Sequence, residues 1–182
     1  MRPQLIATAG LAVMLGAGMV SAQSCRQLLV APAQFCANGT SWQNVPLVAD
    51  TDKTGTRIAT QYGQLGGRVW LLFSRVPEGQ LDKLPWRPKP DDLFELLAQS
   101  ATGAGSLLGE EIERFYPLDT DVMVASIATR ASGQAYVNIY TYYLLENDSL
   151  VVQTGIQGAT DLTEDHKALH IEAVRAVQDA SQ

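Results

Sequence analysis

The chain is poor in the residues on which most recognisable chemistry depends. Its 182 residues include two cysteines, Cys25 and Cys36, and two histidines, His166 and His170. Two cysteines cannot supply the four ligands of a closed structural zinc site. With no Gly-x-Ser-x-Gly segment and no histidine outside this C-terminal pair, the sequence offers no support for a serine-hydrolase triad. Positive charge is also scarce: 13 Lys and Arg stand against 19 Asp and Glu, a formal net charge of −6, and the cations form no run. Phosphate-rich surfaces are bound by clustered Lys and Arg, so neither nucleic acid nor anionic membrane is an expected partner. Beyond residue 22 no apolar stretch approaches the roughly 20 residues that cross a bilayer as a helix, so no membrane span is expected there.

What is present begins with an address. Residues 1–22 carry one cation, Arg2, then an apolar run from Leu5 to Val20 rich in Ala, Gly and Met, then Val20-Ser21-Ala22. This is the pattern of a Sec-type signal peptide cleaved near Ala22. Arg2 has no neighbouring arginine, which argues against the twin-arginine route, and the Ala-Gln-Ser before Cys25 lacks the pattern of a lipid-modified cysteine. The expectation is a periplasmic or secreted protein in which residues 23–182 form a single exported domain. In an oxidising compartment Cys25 and Cys36 are expected to form a disulfide that pins the N-terminal segment.

The clearest pattern lies between residues 112 and 157. Four apolar-rich segments, 112–118, 122–130, 135–146 and 150–157, are separated by Asp119-Thr120-Asp121, Ser132-Gly133 and Asn147-Asp148. Such short polar joins suit hairpins and are too short for parallel crossovers, so the segments are read as an antiparallel meander. In the third segment Tyr136, Asn138, Tyr140 and Tyr142 share one face by alternation, and Ala135, Val137, Ile139, Thr141 and Tyr143 share the other. Both faces are partly apolar. One is expected to carry helices, and the second to be half covered or used for binding.

Upstream, an apolar strand reaching Ala49 is followed by Asp50-Thr51-Asp52-Lys53-Thr54-Gly55-Thr56. Asp-x-Asp-x-Thr after a strand resembles the first motif of haloacid-dehalogenase-like phosphatases. That resemblance implies Asp50 as nucleophile and Asp52 as general acid and base around Mg²⁺, with Ser74 after the strand 69–73 and Lys89 before a helix as the remaining site residues. Asp52 to Thr56 is also similar to the phosphorylation pentapeptide of P-type ATPases, but the chain has no room for their nucleotide domain. A calcium loop starting at Asp50 meets Gln61 where the twelfth-position Glu belongs. Element order opposes the phosphatase as well. Residues 57–62, the turn Gly63-Gln64-Leu65-Gly66-Gly67 and residues 68–74 read as a hairpin, where that fold needs a crossover helix. A polar turn joining two strands accounts for the carboxylates.

Two helices complete the reading. One starts at Asp91 or Asp92 and runs to about Gln99 with Leu93, Leu96 and Leu97 inward, ending in Thr102-Gly103-Ala104-Gly105. The other starts near Asp161, with Glu164 three residues on, and runs to about Gln178. His166 and His170 fall on its apolar stripe with Leu162, Leu169, Ala173, Val174 and Val177. Their spacing makes them the only metal candidates, but without a third histidine, an unpaired cysteine or a suitably placed Glu, hydrogen bonds to the sheet beneath are expected instead.

Hairpin, helix, antiparallel meander and closing helix define an α+β fold, a layout similar to Mog1/PsbP-type domains over roughly residues 41–180. That likeness of element order carries no active-site residue with it. The functional expectation is a non-enzymatic accessory protein without a cofactor, engaging a protein partner or a small ligand through its sheet face. Tyr136, Tyr140 and Tyr142 are the expected anchors, since tyrosine joins apolar area to a hydrogen-bonding tip. The alternative is the Mg²⁺-dependent phosphatase, which requires Asp50, Asp52, Ser74 and Lys89 to converge in one pocket.

Overall fold

The computed structural model describes residues 25–76, 79, 81–85, 89, 91–96, 110–117, 124–130, 135–145 and 148–180. The expected leader, the glycine pair near residue 104, and Leu97 with the expected continuation of the first helix lie outside the described residues.

The alternating segments form one sheet. Strands β3 (Val48–Thr51), β4 (Ile58–Leu65), β5 (Val69–Arg75), β6 (Glu110–Phe115), β7 (Val124–Arg130), β8 (Tyr136–Leu144) and β9 (Ser149–Gln157) lie in the order β3-β4-β5-β9-β8-β7-β6. Every neighbouring pair is antiparallel. The meander is thus β6 to β9, and the hairpin docks on it by pairing β5 with β9, Leu71 opposite Thr154 and Phe73 opposite Val152.

Element edges differ from the pattern for identifiable reasons. β6 ends at Phe115 because Pro117 has no amide to donate and restricts the residue before it. Its ladder to β7 skips Ile112, a bulge between Glu111 and Glu113. β4 continues through Gly63 and Gln64, which alternation assigned to the turn. At Gly63 a Cβ would stand 2.6 Å from Val45 Cγ1 and 2.8 Å from the Pro46 carbonyl oxygen, so this glycine lets the incoming loop lie against the strand. Gly66 and Gly67, with positive φ, make the turn itself.

One face of the sheet is sealed by helix α2 (Glu164–Arg175) and by the N-terminal segment. Phe35, Trp42, Leu71, Phe73, Leu150, Val152, Ala173 and Val174 are buried together there. The Phe35 and Phe73 rings meet edge to face at 5.0 Å. Trp42, fully buried, donates its indole N–H to the Leu169 carbonyl at 2.8 Å and so ties the loop before β3 to α2. On the opposite face the helical residues 91–96, here α1, bury Leu93, Phe94 and Leu96 against Ile127, Tyr140 and Tyr142.

The C-terminus departs from the helical pattern. Thr163, not Asp161, caps α2: its hydroxyl accepts from the His166 amide and the His166 ring accepts from the Thr163 amide. Asp161 pairs instead with Arg130 at 3.0 Å. The helix stops at Arg175, and the residues read as its last turn form β10 (Val177–Asp179). β10 joins β2 (Ala33–Phe35), which pairs with β1 (Arg26–Gln27), in a three-stranded sheet. Pairing with β2 offers Val177 and Gln178 backbone partners that a frayed helix end lacks.

Cys25 and Cys36 are disulfide-bonded, at the open end of the β1–β2 hairpin next to the Arg26 and Phe35 pair. Replacing both by serine is expected to lower unfolding stability by about 2 to 3 kcal/mol in a denaturant titration. A variant as stable as the oxidised parent would mean that the small sheet holds without its staple.

Candidate functional site

The carboxylate motif sits on the exposed end of the β3–β4 hairpin. Asp50 lies on the edge strand β3 and accepts from the adjacent Thr51 amide. Asp52 organises the turn: its Oδ1 accepts from the Thr54 hydroxyl at 2.6 Å and from the Thr54 and Thr56 amides at 3.0 and 3.1 Å. The Thr54 hydroxyl bond is the main reason its carboxyl is held below the usual range. Those contacts occupy Asp52 as the glue of a turn.

The four phosphatase residues do not gather in one cleft. Asp50 is opposite Thr60, and Thr60 is opposite Ser74, so Asp50 and Ser74 stand two strand spacings apart, about 10 Å. Lys89 is exposed at the approach to α1, where its amide donates to the Asp92 carboxylate at 2.5 Å. A cleft of about 590 Å³ does include Asp52, but its other charged walls are Arg57, Arg75, Asp82 and Asp148. The sheet is antiparallel throughout the described residues, whereas the phosphatase motif belongs at the end of a parallel strand. The convergence that the alternative phosphatase reading requires of Asp50, Asp52, Ser74 and Lys89 is thus not among the contacts of the described residues.

The three tyrosines expected as anchors differ in their surroundings. Tyr140 and Tyr142 are 8% and 3% exposed, covered by α1 and packed with Leu93, Phe94 and Ile127. Burial pushes the Tyr140 hydroxyl upward in pKa. Neither ring presents contact area to a partner in this arrangement. Tyr136 alone of the three remains half-buried, and its ring leans over Gly155 of β9, where a Cβ would stand within 2.9 Å of Tyr136 Cζ.

The two histidines serve separate purposes. His166 is engaged in the α2 cap. His170, fully buried, bridges the helix to the sheet: its Nε2 lies 2.6 Å from the Thr141 hydroxyl and its Nδ1 2.9 Å from the Thr154 hydroxyl. Thr141 continues the chain to Ser126 at 2.6 Å. A neutral imidazole, donor on one side and acceptor on the other, satisfies such a chain in either tautomer. Among the described residues no three His, Cys, Asp or Glu side chains group as a metal site.

Among the described residues, the helical segment covers one half of the second face and nothing packs over the other. Register lays two rows across it. One runs Val48, Tyr62, Leu72, Gln153 and ends at covered Tyr140; the other runs Gln64, Trp70, Gly155, Asn138, Thr129. Val48 is 50% exposed, Gln64 is exposed, and Tyr62, Trp70, Leu72 and Gln153 are half-buried. Tyr62 and Trp70 have ring centroids 6.1 Å apart. Gln153 Nε2 donates to the Asn138 amide oxygen at 3.0 Å and to the Tyr140 hydroxyl at 3.3 Å. Of the residues facing this side on β3, β4, β5 and β9, Asp50 is the only charged one. Alternation about the Gly66-Gly67 turn places Tyr62 and Trp70 on one face, a signal weaker in the sequence than the clustered tyrosines of the meander.

No protein family matches this chain, and no curated protein matches it in sequence.

Burial pushes the His170 imidazole down to about 3. Unfolding restores an ordinary value near 6.5, so between these limits the unfolded state binds a proton that the folded state refuses. His170 thus contributes a stability loss that is absent above pH 6.5 and grows, as pH falls, by about 1.4 kcal/mol per pH unit. Denaturant titrations from pH 7 to pH 4 are expected to show that slope in the parent and a shallower one in His170→Gln. Equal slopes would place the acid sensitivity elsewhere.

Proposed function

We propose that this protein is an exported, non-enzymatic binding protein that engages its partner or ligand through the uncovered half of the second sheet face. The observation that carries the reading is the juxtaposition of half-buried Tyr62 and Trp70 with Leu72 and exposed Val48, on strands that face this side with a single charge. Aromatic side chains grouped on a rigid sheet provide contact area at low entropic cost, which is why they anchor interfaces. The anchors are thus Tyr62 and Trp70, with Tyr136 beside them.

Export rests on the leader sequence, and the disulfide is compatible with an oxidising compartment, periplasmic or extracellular. No helix among the described residues is long and apolar enough to cross a membrane. The Mog1/PsbP-like layout belongs to the same proposal, supported by an antiparallel sheet with helical residues packed on both faces.

A photoreactive side chain at Gln64, beside Trp70, is expected to form adducts in the exported fraction of the native host, and one at Gln178 on β10 is not. Adding Tyr62→Ser and Trp70→Ser should lower adduct yield about tenfold or more while leaving the melting temperature within a few degrees. Equal labelling at both positions would sink the reading. So would Mg²⁺-dependent hydrolysis of an aryl phosphate that Asp50→Asn abolishes.

A further inference from the structure

The open face has a chemical character narrower than binding in general. Its row of Gln64, Trp70, Gly155 and Asn138 and its neighbour Tyr62, Leu72 and Gln153 alternate rings with carboxamides. Gly155 leaves a gap in the middle of the sheet that the Tyr136 ring fills, which carries the Tyr136 hydroxyl over β9 toward the strand of Trp70. The polar row ends inside the molecule at Thr129, 1% exposed, whose hydroxyl has no hydrogen-bond partner among the described residues. A chain with formal charge −6 thus keeps one surface almost free of ions while lining it with amides and hydroxyls.

We infer that this face binds a neutral polyhydroxylated ligand, an oligosaccharide chain lying across β4, β5 and β9. The inference rests on the binding reading above and supplies its ligand class. Three physical matches support it. A pyranose ring has a C–H face that packs on an aromatic ring, and the Tyr62–Trp70 pair offers two adjacent, tilted platforms. Its equatorial hydroxyls both donate and accept, as do the carboxamides of Gln64 and Gln153 and the hydroxyl of Tyr136, while buried Asn138 accepts from Gln153 and orients it. Charge complementarity supplies the third match. An anionic ligand would meet no strand cation on this face, Arg75 of β5 pointing to the other side, and a cationic one only Asp50 at the corner, so an uncharged ligand loses no ionic solvation by docking here. A protein partner would ordinarily bring its own rim charges and find little to pair with.

The test uses the full mature, oxidised protein labelled with fluorotryptophan, with the Trp70 resonance assigned by its loss in Trp70→Phe. The probes are neutral hexose and N-acetylhexosamine oligosaccharides. At least one is expected to shift the Trp70 resonance saturably and to leave that of buried Trp42 in place, with an affinity unchanged between low and high salt. Tyr62→Ala and Gln153→Ala should each weaken it by about tenfold with melting unchanged. If no oligosaccharide moves Trp70 while Gln64 still forms adducts with a protein, the ligand class is overturned and the binding face stands. If neither probe nor adduct reports on this face, both fail. Shifts that persist undiminished in Tyr62→Ala and Gln153→Ala would also overturn the inference, since the contact would then lie off the proposed platform.

Discussion

The pairing of β5 with β9 is the constraint on which the molecule depends. It joins the hairpin carrying β3, β4 and β5 to the meander of β6 to β9 across a long stretch of chain. That seam runs through the largest buried cluster of the described residues. Leu71 and Phe73 on one side of it, and Leu150 and Val152 on the other, supply the central apolar floor against which Phe35, Trp42, Ala173 and Val174 are packed. Because side chains alternate at every residue, a slip of one position would turn Leu71 and Phe73 outward and Trp70 and Leu72 inward. The register at this seam thus sets both the core and the open face.

The two faces are sealed by different means. The α2 face closes with an apolar layer plus one buried polar joint, His170 between Thr141 and Thr154. A fully satisfied polar joint fixes the helix along its own axis in a way that leucine packing alone does not, at the cost of excluding the charged imidazole. On the opposite face, among the described residues, residues 91–96 pack over β7 and β8. Seven strands are wider than that cover. On the β4–β5 side Tyr62 and Trp70 remain half-buried, with Val48 and Gln64 exposed beside them.

Glycine makes two of these arrangements workable. Gly63 admits the Val45 to Leu47 segment against β4, and Gly155 admits the Tyr136 ring over β9. Each replaces a side chain by something arriving from elsewhere in the chain, so each couples distant residues through the absence of a Cβ.

The sequence alone determined the local repertoire: the antiparallel hairpins, the helix after Asp91, the helix ahead of Arg175, and a disulfide between the only two cysteines. Each of these rests on near neighbours, where alternation, turn residues and caps act within a few positions. Tertiary structure decided the rest. Nothing local distinguishes Tyr140 and Tyr142, which α1 covers, from Tyr62 and Trp70, which it does not, since all four alternate correctly on strands. Nothing local makes Val177 to Asp179 a strand, because the partner is β2 at the other end of the chain. Periodicity states which side a residue faces on its own element; what lies on that side is set by pairings between residues far apart in sequence.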